Sequence, residues 1–133
     1  MNESRKKYYN ALFIVAAIYD WILGAAFLFF YKPIFESLGI AIPANPSYIS
    51  LAAAFVFVSG FIYYFAFKTP AASRELIKLG AIYKFFYVAV GVYYLLISML
   101  PHAIFFVFGV ADFAFMVLFI EFIFYTKKQE VLS

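Results

Sequence analysis

Four long apolar runs, broken by short segments that hold most of the charge and all of the proline, organise the chain. They cover about residues 8–31, 47–67, 79–100 and 103–125. Each is about 20 residues or more. At about 1.5 Å of rise per residue, a helix of that length crosses the roughly 30 Å hydrocarbon core of a bilayer. The predicted fold class is therefore an all-α membrane protein, a four-transmembrane-helix bundle forming a single integral membrane domain over residues 1–133.

The breaks give the connections. Lys32-Pro33 ends the first run, because proline cannot continue a helix. Ile34, Phe35, Leu38 and Ile40 then read as a short helix lying in the interface. Pro43 and Pro46 make the next stretch extended or turn-like. Lys68-Thr69-Pro70 ends the second run, and Pro70-Ala71-Ala72-Ser73 reads as a turn into the third. Pro101-His102 leaves almost no connection, so the third and fourth helices form a tight antiparallel hairpin. Residues 126–133 read as a short polar tail. A signal peptide is the alternative for the first run, but Asp20 and Trp21 interrupt it and no small-residue cleavage site follows.

Composition sharpens the class. The chain is 68% hydrophobic and only 13% charged, where roughly 45–50% apolar is usual for a soluble domain. With no cysteine and one histidine, disulfides, thiolate metal sites and multi-histidine metal sites are excluded within one chain. There is no metal or nucleotide motif, and the cofactor is unknown. The basic clusters are short and abut the apolar runs, so they read as topology signals, with no nucleic-acid partner. Arg5, Lys6, Lys7, Lys68, Arg74, Lys78, Lys127 and Lys128 all fall on one side of a four-span arrangement, and Lys32 stands on the other. The positive-inside rule then predicts both termini in the cytoplasm.

The candidate chemistry lies inside the runs. Lys84 sits within the third, on a stripe with Gly80, Tyr87, Gly91, Tyr94 and Ser98 at spacings of three and four, which is one face of a helix. A charged side chain in hydrocarbon costs at least about 2.5–3.5 kcal/mol, so Lys84 is expected to face protein or a water-filled cavity. Asp20 and Asp112 lie near the middle of the first and fourth runs, and either is a feasible partner. An ion pair that only fixes helix register is one use of such residues. A binding or proton-moving site is another, and both remain open from the sequence. Tyr19, Tyr63, Tyr83, Tyr87 and Tyr94 are internal tyrosines, and with Ser59 they are candidates to line a polar, aromatic-walled site. Tyr9 and Tyr125, at run ends, read as interfacial belt residues. Glu121 falls nine residues after Asp112, on the opposite helix face, and is expected to meet headgroup water.

The first run with its Tyr19-Asp20-Trp21-Ile22-Leu23-Gly24, the proline-bearing external loop and the fourth run with Asp112 resemble the DoxX-like small membrane proteins. The resemblance covers almost the whole chain and implies a four-helix architecture. It also implies an association with quinone-linked oxidoreductases, as seen for some of that group. No catalytic residues are transferred by it. The expected function is binding of a lipophilic small molecule, quinone-like among them, or of a membrane partner subunit. The expected site is polar and aromatic-lined, within the plasma (inner) membrane of a prokaryote. The expected partners are the lipid bilayer, such a ligand, and a second copy of the chain in a homodimer. A small proton-coupled transporter using Asp20 or Asp112 is the alternative, and a membrane-embedded enzyme a second one.

Overall fold

A computed structural model describes residues 2–69 and 73–132. The turn read at Pro70, Ala71 and Ala72 lies outside them. The described chain is all-helical, in the order α1 (Glu3–Leu38), α2 (Ser47–Lys68), α3 (Arg74–Leu96) and α4 (Ala103–Leu132). All four helices are long and apolar enough to cross a membrane.

The helix ends follow local chemistry. Asn2 caps α1 by accepting from the Arg5 N–H at 2.8 Å, which satisfies one of the free donors of the first turn. The Asn45 side chain accepts from the Ser47 N–H and hydroxyl ahead of α2. At the other end of α1, Gly39 adopts φ 71°. There its N–H bonds the Glu36 carbonyl and the Ile40 N–H bonds the Phe35 carbonyl, the paired closure that a left-handed residue permits. The same closure ends α3, with Ser98 at φ 57° in glycine's place, the Ser98 N–H on Leu95 and the Met99 N–H on Tyr94. His102 starts α4, its Nδ1 accepting from the Ile104 N–H at 3.0 Å.

The first run ends within a few residues of the expectation: two helical segments meet at a kink at Phe30 (φ −130°, ψ 24°), and residues 31–38, with Pro33 in their first turn, form a short second segment within the bounds of α1. A proline is tolerated early in a helical segment, where its missing N–H has no partner to lose. Two boundaries differ from the sequence expectation. The third helix begins at Arg74, directly after the expected turn, but stops at Leu96, so Ser98 falls off the stripe expected to include it. The polar tail is helical as far as Leu132, because Arg74 holds it: its guanidinium donates to the Thr126 carbonyl at 2.9 Å and pairs with Glu130.

Neighbours in sequence are neighbours in space, with α1 on α2, α2 on α3 and α3 on α4. The bundle closes between α1 and α4 through side chains. Phe13 meets Phe119 and Phe122, Tyr19 meets Phe115, and Phe27 meets Phe105. That run of pairs makes α1 and α4 antiparallel and sets both chain ends at one end of the bundle. The core occupies that terminal half, where Tyr9, Phe13, Tyr63, Ile77, Phe119 and Phe122 are buried. Toward the other end the helices expose more of their apolar surface, with Leu96 at 78% and Tyr94 at 41%.

Candidate functional site: a buried ion network one turn from an apolar cavity

Lys84 bonds both aspartates at once. Its Nζ lies 2.8 Å from Asp20 Oδ1 and 2.7 Å from Asp112 Oδ1. The side chains are sealed from solvent, with Lys84 0% exposed, Asp20 1% and Asp112 5%. Ser59 donates to the other Asp20 oxygen at 2.6 Å, and its oxygen also lies 2.6 Å from the Val56 carbonyl. Each of the four helices thus contributes one polar side chain to a single network: Asp20, Ser59, Lys84 and Asp112. A buried charge needs this density of partners, because desolvating it otherwise costs several kcal/mol.

Aromatic rings enclose the ammonium. The ring centroids of Tyr19 and Phe115 lie 5.3 Å from Lys84 Nζ, that of Tyr63 at 5.5 Å and that of Tyr83 at 5.9 Å. At these distances a ring face attracts a cation. The hydroxyls of Tyr19 and Tyr63 are buried with no partner among the described residues. Gly80 allows the enclosure: a Cβ there would stand 2.5 Å from the Tyr63 ring.

Two hydrogen bonds set the Lys84 ammonium level with both aspartates. Lys84 is ten residues into α3, about 15 Å at helical rise. The small residues Gly24 and Gly60 bring α1 and α2 close enough for Ser59 to reach Asp20. A Cβ on Gly24 would lie 2.5 Å from the Phe57 nitrogen, and one on Gly60 would strike the Trp21 ring.

One turn from this network, toward the end of the bundle away from the termini, lies a cavity of about 350 Å³. Its walls are apolar and aromatic, with Phe27, Phe35, Phe105 and Phe108 among them. Gly24, Val56, Tyr87 and Phe108 also line it. These stand four, three, three and four residues from Asp20, Ser59, Lys84 and Asp112, so every helix carries a cavity residue one turn from its network residue. A second hollow, about 450 Å³, shares Leu23, Phe27 and Phe108 with the first and has Tyr19 in its wall.

Several candidate residues fall elsewhere. Tyr94 is exposed near the end of α3, because the helices have separated there. It belongs to neither the network nor the cavity. Glu121 does not simply meet headgroup water. It accepts from Tyr9 at 2.6 Å and pairs with Arg5, whose guanidinium carbon lies 4.3 Å from the Tyr125 ring. Tyr9, at 2% exposure, is a core residue rather than a belt residue. The sequence signals for these partners are local spacings: Tyr9 follows Arg5 by four, and Phe115 follows Asp112 by three.

The fold and site together define an all-helical bundle of four membrane-length helices around one buried charge network. Compared with protein-family models, curated proteins and solved structures, the chain matches none.

Proposed function

We propose that the protein is an integral membrane protein that binds a small lipophilic molecule in the cavity that all four helices line. The polar end of that molecule rests toward the Asp20–Lys84–Asp112 network. The observation that carries this reading is the junction of the two features. A cavity of about 350 Å³ falls in the usual size range of ligand sites, which combine apolar walls with a few convergent polar groups.

The membrane setting rests on the four apolar helices. Most of the basic residues gather at the terminal end of the bundle, which favours a cytoplasmic location for both termini. Cysteines introduced at Asn45 and at His102 are then labelled from outside intact cells, and cysteines at either terminus are not. Labelling of Asn45 only from the cytoplasmic side reverses the orientation.

Binding is tested on protein in phosphatidylcholine nanodiscs, with a neutral decyl quinone, a long-chain fatty acid and a long-chain alkylammonium as probes. The expected result is saturable binding of at least one probe, weakened tenfold or more by Val56→Phe in the cavity lining. Phe86→Ala, on the outer face, is the control. If none of the three binds saturably, or if Val56→Phe binds as the parent does, the reading fails.

A further inference from the structure

The charges of the network do not balance. Two carboxylates face one ammonium, Asp20 and Asp112 each bonding Lys84. No other charged residue lies within one helical turn of these three on their own helices. On α2 the only charged residue is Lys68 at its end, nine residues beyond Ser59. The charged residues Arg5 and Glu121 satisfy each other elsewhere. With both carboxylates ionised, the network carries one unit of negative charge in excess, enclosed by aromatic rings.

The cavity begins close to this network. Tyr87 and Val56, in its lining, each stand three residues, about 4.5 Å of helical rise, from Lys84 and Ser59. Its walls include the rings of Phe27, Phe105 and Phe108, and ring faces attract cations. In surroundings less polar than water, a negative charge at that range acts strongly on a positive headgroup. A neutral molecule of the same shape receives the apolar contacts and none of this attraction.

We infer that the ligand of this cavity is a lipophilic cation, an apolar body bearing an ammonium-type group that settles toward the Asp20–Lys84–Asp112 network and offsets its excess charge. This inference rests on the proposed binding reading and specifies the ligand class. Lys84 stays in place throughout. Its ammonium bonds both aspartates, at 2.8 and 2.7 Å, one positive charge between two carboxyl groups.

The experiment compares an isosteric pair, benzyldimethyloctylammonium and the neutral analogue in which a quaternary carbon replaces the nitrogen. Saturable binding of each is measured in phosphatidylcholine nanodiscs, which carry no net surface charge. The expected result is a preference for the cation on the order of tenfold or more, with a smaller preference in Asp112→Asn and in Asp20→Asn. A parent preference near one overturns the inference while the cavity reading survives, because both compounds then bind. A preference that persists in both aspartate variants also overturns it, since the selectivity then arises elsewhere. If neither compound binds, the cavity reading falls and this inference falls with it. The parent comparison needs no variant, so a misfolded aspartate mutant does not leave the result open.

Discussion

Lys84 and Asp112 lie 28 residues apart in the chain and 2.7 Å apart in space, with α3, the turn at His102 and the first part of α4 between them. The contact closes the α3–α4 hairpin from within. The second bond of the same ammonium, to Asp20, fastens that hairpin to α1. One side chain therefore ties three of the four helices, and Ser59 brings in the fourth.

Lys84→Met tests this tie. The substitution strands two carboxylates against each other in a sealed site, and breaking a buried pair from one side costs roughly 3–5 kcal/mol. A loss of at least that size is expected in denaturant titration of the reconstituted protein. Adding Asp20→Asn or Asp112→Asn recovers part of it, and adding both recovers most, because no charge then remains stranded. Mutations sharing a network are non-additive, and the cycle measures the coupling. Parental stability for Lys84→Met alone is the outcome that rules out the tie.

Two glycines should respond oppositely to alanine. On Gly24 the new methyl meets the Phe57 backbone nitrogen at 2.5 Å and its Cα at 2.7 Å, and backbone cannot turn aside. Overpacking of this kind costs about 1–3 kcal/mol. Around Gly91 nothing stands within 4 Å, so Gly91→Ala gains the helix propensity that glycine lacks, about 0.8–1.0 kcal/mol. Thermal melts of the two variants in one detergent give the comparison, and equal shifts in one direction would refute the close approach of α1 and α2.

Much of the architecture was legible because apolar length and charge position act directly on the chain. Lys84, Asp20 and Asp112 stood out because a charge inside an apolar run must find a partner. What the runs concealed were features decided by single backbone groups. The kink of α1 falls at Phe30, just before Pro33, since a proline in the first turn of a segment loses no bond. The end of α3 at Leu96 was hidden because the run stays largely apolar to Leu100. The partners of Glu121 were hidden for another reason. Helical spacing set it opposite Asp112, but nothing in α4 tells which helix lies there. The cavity was not legible either, because its walls come from all four helices.

His102 is predicted to matter as a cap. Its Nδ1 accepts from the Ile104 N–H at 3.0 Å, satisfying a donor of the first turn of α4. Loss of a capping acceptor typically costs about 0.5–2 kcal/mol. His102→Ala is expected to destabilise by an amount in that range and His102→Asn, which keeps an acceptor, to destabilise less. Amide exchange at residues 103–105 reports the same difference locally. Equal exchange in the two variants would remove the capping role.

Arg5 and Glu121 provide the last test, because they join the first turn of α1 to the far part of α4. Arg5 bonds Glu121 and donates to Tyr9 at 2.7 Å, while Tyr9 donates to the second Glu121 oxygen at 2.6 Å. Both charged side chains are about two-fifths exposed, at 40% and 42%. Solvent and salt therefore screen the pair, and global stability is a poor readout of it. The local readout is fraying of α1. Arg5→Glu sets two carboxylates face to face beside Tyr9 and is expected to speed amide exchange over residues 3–9. Glu121→Arg does the same with two guanidinium groups. The double swap restores opposite charges, so exchange should return toward the parent rate, and the restoration should shrink as salt is raised. If the double variant exchanges as fast as the worse single variant, the pair does not hold the two helices together, and aromatic packing, with Tyr9 and Phe13 each on Phe122 at centroid distances of 4.8 and 4.9 Å, carries that end.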